Sequence, residues 1–394
     1  MISTKAKNVV RATAPVLEKE GIHISTRFYD LLFERNPELR HVFNQSNQKR
    51  GTQQRALAET VFHYAANIDE LEKLGPAVRR IANKHASLSV EPAHYPIVGT
   101  CLLQAIQDHL GLPDGHEILV SWAEAYEFLA ALFIDVEESI YRESENEVGG
   151  WRGFRSFRID RIVRETELVS SFYLQPSDGR PIVDFTPGQY VGIRIPLTDT
   201  TFCHRQYSLS DTLRNGEYRL TIKSEANDPA HPGEGSTAMH VKSPGDTVML
   251  HAPTGDFVMD GKHRPVFIAG GIGVTPLFAM AKDLSERQPE VLSDTTFIHA
   301  CPGRSQHPLS SEIAVLSSEY GMELLVSYDE GDEGQNKGYL TAGVLAEWLP
   351  EPGRDVYLCG PEGFMAAMVA ALVSIGFERS RIRYEAFGPH RELV

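Results

Sequence analysis

The chain is predicted to be multidomain: an all-α segment, then an antiparallel β-barrel, then an α/β unit built on a parallel sheet. Three observations predict this. Residues 1–147 carry apolar positions at helical spacing and few glycines. From Phe154 onward short alternating runs set in, separated by turn signals. Beyond residue 260, buried-strand runs alternate with helical stretches. A length of 394 residues holds two or three domains, and the boundaries are expected at 1–147, 151–260 and 261–394.

In the first segment Phe28, Leu31 and Leu32, then Val78, Ile81 and Ala82, mark helical faces, while Pro37, Pro92 with Pro96, and Pro113 with Gly115 punctuate them. The texture changes at Gly149-Gly150-Trp151. Phe157-Arg158-Ile159, Tyr190 to Ile193 and Tyr218 to Ile222 then read as strands, with turns at Pro187-Gly188, Asn215-Gly216 and Pro244-Gly245. In the last segment Val266 to Ala269, Thr296 to His299, Glu323 to Ser327 and Val356 to Cys359 read as parallel strands.

Composition narrows the function classes. A net charge of −15 argues against nucleic acid and anionic membrane as partners. The first fifteen residues lack an apolar core of signal-peptide length, and the most apolar stretch, Pro265 to Ala281, is broken by Gly270, Gly271, Gly273 and Pro276. A cytoplasmic chain without an integral membrane segment is expected. Cys101, Cys203, Cys301 and Cys359 are far apart and form no CxxC pair, which argues against a disulfide framework, a zinc site and a Cys-ligated iron–sulfur cluster.

Three motifs carry chemistry in the C-terminal two-thirds. Arg205-Gln206-Tyr207-Ser208 offers a cation for a pyrophosphate and a flat aromatic face. Gly270-Gly271-Ile272-Gly273-Val274-Thr275-Pro276 follows a strand and opens a helix, so its backbone can approach phosphates closely. Cys359-Gly360-Pro361 ends another strand, at the carboxyl edge where ligands bind in parallel sheets. Each alone reads equally well as an ordinary strand or a packing turn. In this order they resemble the ferredoxin–NADP⁺ reductase family. The resemblance implies FAD contacts from Tyr190, Arg205, Gln206, Tyr207, Ser208 and Ser236, and from the closing segment Phe387-Gly388-Pro389. It implies NAD(P) contacts from Gly270, Gly271, Ile272, Gly273, Val274, Thr275, Pro276, Cys359, Gly360 and Pro361. Arg304 and Ser305 stand where a 2′-phosphate could be met, and the choice between NADH and NADPH stays open.

In the helical segment, His85 shares a face with Val78, Ile81 and Ala82 and so points inward. A lone histidine on an apolar face is more often a packed core residue than a ligand. Phe43 after Asn36-Pro37-Glu38-Leu39 resembles the globin turn whose aromatic packs on haem. Tyr29 and Gln53, with Leu57 a turn beyond, match globin distal positions, and Tyr95 and Glu137 are available to support His85.

The whole chain thus resembles the flavohaemoglobins, in which a globin precedes the reductase module. The resemblance implies an all-α globin, an antiparallel FAD domain and a parallel-sheet NAD(P) domain, carrying haem b, FAD and NAD(P)H. His85 becomes the proximal ligand of the haem iron and Tyr29 the distal donor, with Gln53 beside it. Tyr95 and Glu137 bond the proximal imidazole, Phe43 and Leu57 line the haem pocket, and Lys84 lies near the flavin–haem interface. The implied activity is a nitric oxide dioxygenase, with O2 and NO as substrates: electrons pass from NAD(P)H to FAD to haem, and NO leaves as nitrate. A monomer is expected. A haem-based oxygen or redox sensor, or a flavin reductase with a structural helical domain, is the alternative, and His63 is the next candidate for the haem ligand.

Overall fold

The computed structural model describes residues 1–41, 48, 51–198, 201–226, 233–260, 264–330 and 334–388. The first segment is helical, with helices Thr4–Arg35, Thr52–Ala66, Gly75–Ser87, His94–Leu110 and Glu117–Asn146. Ser3 caps the first helix, its side chain accepting from the Ala6 amide. Val10, Leu17, Ile24, Phe28, Leu31 and Leu32 recur on the buried face and pack on Ala105, Ile106 and Trp122. Pro37 opens a 3-10 turn, Pro37–His41, as its punctuation predicts. Pro96 instead lies inside the helix His94–Leu110, in the first turn, where a missing N–H leaves no intrahelical bond unmade.

Strands β1 (Arg155–Arg164), β2 (Val169–Pro176), β3 (Tyr190–Pro196), β4 (Phe202–Ser208), β5 (Tyr218–Lys223) and β6 (Thr247–Leu250) form one antiparallel sheet, ordered β4-β3-β6-β1-β2-β5. A bridge between Leu209 and Leu220 joins its two ends and so curls the sheet into a barrel. The hairpin before β5 turns at Asn215 and Gly216, φ 52° and 67°, the paired left-handed conformation that an Asn-Gly turn requires. A short helix, Glu234–His240, covers one end of the barrel and has no counterpart in the sequence reading.

The last unit is a parallel sheet ordered β10-β9-β8-β7-β11-β12, where β7 is Pro265–Gly270, β8 Thr296–Cys301, β9 Glu323–Tyr328, β10 Asn336–Lys337, β11 Asp355–Cys359 and β12 Ile382–Glu385. Both faces are covered, one around Phe267, Phe278, Phe297 and Tyr357 and the other around Ile268, Ile298, Leu358 and Leu372, which is why its strands read as continuous apolar runs. The chain starts at β7, runs outward through β8 to β9, and returns on the other side of β7 at β11. The strand order therefore reverses between β7 and β11, and a crevice opens at their carboxyl ends.

Candidate active site

Four groups of side chains meet the sequence expectations in different ways. In the helical unit His85 stands in the last turn of Gly75–Ser87, its side chain one-third exposed. Its Nδ1 lies 2.7 Å from Glu137 Oε1 and 3.2 Å from the Tyr95 hydroxyl, and Tyr95 itself donates to the same carboxylate oxygen at 2.5 Å. Glu137 is 2% exposed, so this carboxyl is dry and its Oε1 is satisfied by these two bonds. The arrangement commits Nδ1 to the acid and leaves Nε2 outside that pairing. Phe133 packs against the imidazole ring. Tyr126 donates to the Tyr95 carbonyl at 2.6 Å and so fixes the helix that carries the phenol. Burial, then Glu137, pushes the Tyr95 hydroxyl well above its usual range, so it stays a proton donor.

Tyr29 is buried in the first helix and stacks on Phe33. Its hydroxyl is hydrogen-bonded by Gln53 and by Gln48, a residue the sequence reading did not single out. Burial keeps that hydroxyl protonated. Gln53 Oε1 is buried without a hydrogen-bond partner among the described residues. Leu57 packs beside them on the same core. Phe43 lies outside the described residues. His63 is exposed on its helix.

In the barrel, strand alternation puts Arg205 and Tyr207 on one face of β4 and Gln206 and Ser208 on the other. Arg205 is nearly buried and gives one guanidinium nitrogen to the His204 carbonyl at 2.7 Å, while Nη2 has no hydrogen-bond partner among the described residues. Thr237 Oγ1, in the short helix that packs on Arg205, is orphaned in the same way. Ser236 is already engaged, donating to the Gly233 carbonyl and accepting from the Glu225 amide, both at 3.1 Å. Tyr190 and Ser208 are buried and directly paired across β3 and β4. Gln206 has a partner the sequence did not suggest: its amide donates to Ser87 Oγ at 2.5 Å and to the Lys84 carbonyl at 3.4 Å, in the helical unit.

That contact belongs to a larger seam. Thr254 donates to Asn83 Oδ1 at 2.5 Å, and Lys84 donates to the Gly388 carbonyl. Gly192 lies so close to the helix end that a Cβ there would sit 1.6 Å from the Ser87 carbonyl oxygen. The last turns of the helix bearing His85 are thus bonded to β4, to the segment after β6 and to the C-terminal segment, and pack closely on β3. Burial lowers the pKa of the Lys84 amine, opposed by the nearby Glu385, whose own carboxyl is raised by burial. Phe387 is half-exposed, Gly388 follows it at a positive φ of 155°, and Pro389 lies outside the described residues.

In the parallel sheet the two remaining motifs converge on the crevice. Gly270 to Gly273 turn from β7 into the helix Val274–Arg287, and Gly273 is packed so tightly that a Cβ would lie 2.3 Å from the Cys359 carbonyl. Thr275 Oγ1 donates to the Ile272 carbonyl at 3.2 Å, while Val274 and Pro276 are buried in the helix's first turn. Cys359 ends β11 fully buried, and burial raises its thiol pKa far above the usual range. Gly360 touches Gly270, and Pro361 leads into the helix Glu362–Ser374. Arg304 lines a cavity with Val326, Tyr328 and Gln335 at the neighbouring strand ends. Among the described residues no helix is long and apolar enough to cross a membrane.

Comparison with known proteins agrees with this geometry. Three family models match in order: globin over residues 26–132, an oxidoreductase FAD-binding domain over 158–259 and an oxidoreductase NAD-binding domain over 267–370. The flavohemoprotein of Bacillus cereus is 40% identical over 406 residues, covering 100% of both chains. The chain belongs to the flavohaemoprotein family. Among solved structures, this family member is similar to the flavohemoglobin of Malassezia yamatoensis with bound FAD and heme, at TM-score 0.85 and 28% identity, over 98% of this chain and 100% of that one. It is also similar to the FAD/NAD binding domain of nitric oxide dioxygenase from Vibrio cholerae, at TM-score 0.56 and 36% identity, over 60% of this chain and 100% of that one. This flavohaemoprotein is therefore an oxidoreductase of globin-plus-reductase architecture.

Proposed function

We propose that this chain is an NAD(P)H-dependent nitric oxide dioxygenase, with units at 1–147, 151–260 and 261–394 serving haem, FAD and NAD(P)H. The observation that carries the reading is the seam: the helix end bearing His85 is hydrogen-bonded to the strand bearing Arg205 and Tyr207 through Gln206. A redox protein needs its two electron carriers close, and here the residues suited to each are tied to one another by side chains.

The donor sets fit the three groups. His85 holds Nδ1 on Glu137 and keeps Nε2 on a third-exposed ring, so it would hold the haem iron through Nε2. Arg205 Nη2, ion-paired with Glu234 at 4.0 Å, and Thr237 Oγ1 are dry and make no hydrogen bond among the described residues, a state whose cost a flavin pyrophosphate would relieve. The Gly270–Gly273 turn exposes backbone at a helix start for a dinucleotide. When bound, the three groups would supply hydride acceptance, single-electron transfer and the conversion of NO and O2 to nitrate.

The residues do the rest. Glu137 draws the His85 proton toward itself and makes Nε2 a stronger donor. Tyr29, kept protonated by burial and oriented by Gln53 and Gln48, presents an O–H to a polar diatomic ligand. Tyr190 and Ser208 hold β3 and β4 in register, so Arg205 and Tyr207 keep their shared face. The deciding experiment reduces the purified protein anaerobically with NADH and with NADPH, then admits O2 and NO and measures nitrate. Reduction of a Soret-absorbing species followed by stoichiometric nitrate is expected. Absence of a Soret band in haem-supplied protein defeats the reading, and a Soret band without nitrate leaves an oxidoreductase of other purpose.

A further inference from the structure

Behind the nucleotide crevice, the structure gathers three metal-ligating side chains that the activity above does not use. His299 and Cys301 lie two residues apart on β8, so the strand turns both to the same face. His307 reaches the same point from the segment after Arg304–Gln306. One ligand atom of each lies within 4.8 Å of the other two, and all three residues are buried: His299 at 0%, Cys301 at 2% and His307 at 5% exposure. The imidazole rings meet edge to face at 4.4 Å.

The hydrogen bonding singles out which atoms are free. His299 Nε2 faces the Gly271 carbonyl at 2.9 Å, which makes Nε2 the protonated nitrogen and leaves Nδ1 with a lone pair. His307 Nδ1 is bonded to the Tyr328 hydroxyl at 2.8 Å. His299 Nδ1 and His307 Nε2 are then buried with no hydrogen-bond partner among the described residues. Two such orphans in one dry spot cost stability unless something fills the gap. A ligating histidine normally gives its other ring nitrogen to a carbonyl or other acceptor; His299 is held in that way by Gly271, and His307 Nδ1 is paired with the Tyr328 hydroxyl, which can accept from it.

The geometry points to a buried site for a thiophilic d10 cation, Zn2+ or Cu+, held by His299 Nδ1, Cys301 Sγ and His307 Nε2. Thiolate with imidazole is the donor set that selects these ions. Bonds of about 2.0–2.3 Å require the three donors to close by roughly an ångström, a movement of side chains only. On binding, a metal–sulfur bond forms, the S–H bond breaks and its proton leaves to solvent. The ion would tie β8 and the following segment to Gly271 through His299, and so brace the nucleotide-binding turn. Spacing in sequence does not announce the site, because strand periodicity and a chain reversal, not a CxxC pair, bring the ligands together.

The test uses the full chain with its haem and FAD in place. Protein stripped with a chelator is given Zn2+ or, under reducing anaerobic conditions, Cu+, then desalted and analysed for each element separately from iron. One zinc or copper per chain is expected. Cys301→Ser and His307→Gln should each weaken retention at least tenfold, whereas His23→Gln, on the exposed surface, should not. Co2+ loading of the unaltered protein should add a sulfur-to-metal charge-transfer band to the difference spectrum, a readout that needs no variant to fold. Absence of that band together with no retained zinc or copper overturns the site, as does full retention by Cys301→Ser.

Discussion

Replacing Glu137 by glutamine tests the proximal arrangement with little change of shape. The carboxylate is 2% exposed and takes hydrogen bonds from His85 at 2.7 Å and Tyr95 at 2.5 Å. A hydrogen bond to a charged group contributes about 1.5–3 kcal/mol and a neutral one about 0.5–1.5. The His85 bond should therefore lose about 1–1.5 kcal/mol. Glutamate makes the imidazole more anionic, which favours ferric over ferrous iron, so the loss falls mainly on the ferric state. For a one-electron couple, a tenfold change in equilibrium constant (about 1.4 kcal/mol) corresponds to about 59 mV. The haem midpoint potential of Glu137→Gln should therefore rise by roughly 40–60 mV. Spectroelectrochemical titration of parent and variant, each with full haem content, measures this directly. An unchanged potential in a fully loaded variant refutes the claim that Glu137 acts on the iron through His85. A fall in potential refutes its sign.

Arg205→Ala removes a nearly buried guanidinium, and loss of a charge-assisted contact of about 1.5–3 kcal/mol should weaken FAD retention roughly tenfold to a hundredfold; full flavin occupancy in dilute protein speaks against a pyrophosphate role. Tyr29→Phe should speed O2 dissociation by a similar factor while leaving flavin-to-haem electron transfer unchanged, and equal slowing of haem reduction moves the donor role to Gln53. Gly192→Ala forces a Cβ to within 1.6 Å of the Ser87 carbonyl, so the seam must open; stopped-flow haem reduction should slow while NADH–dye reduction and both cofactor contents hold, and unchanged haem reduction refutes the seam as the electron route. His251 is held down to about 4 by burial, against 6.5 when exposed. Its contribution to stability is therefore complete above pH 6.5 and is lost as pH falls toward 4, by at most about 1.4 kcal/mol per pH unit. Urea midpoints of parent and His251→Gln should converge over that window, and a constant difference refutes it.

Much of the architecture was legible in the chain because its signals are local. Alternation marks β1, β3 and β5, and apolar runs mark β7, β8, β9 and β11, since strand burial follows a two-residue period or covers both faces. Asn215-Gly216 and the Gly270–Gly273 turn are legible for the same reason: backbone conformation is set by a few adjacent residues. Strand β12 was missed because Ile382-Arg383-Tyr384-Glu385 buries only its end residues and gives no apolar run. The helix Glu234–His240 spans 7 residues, too few for a period to show.

Order and local chemistry were determined by the sequence alone: three units in series, an inward-turned His85, a strand with Arg205 and Tyr207, and glycine turns at strand ends. Tertiary structure alone decided which residues act together. Glu137 meets His85 across 52 positions, a pairing that only the family resemblance implied, and Gln206 meets Ser87 across 119, which nothing in the sequence suggested; neither leaves a trace in spacing. Gly192 sits within an ordinary strand, and its lack of a side chain has meaning only against the Ser87 carbonyl of another unit. His299, Cys301 and His307 look scattered until β8 and the segment after it fold onto one point. Periodicity reports only which way a side chain faces along its own element. What it faces is set by packing between elements, where burial, exclusion of water and hydrogen bonding act over distances the linear chain does not encode.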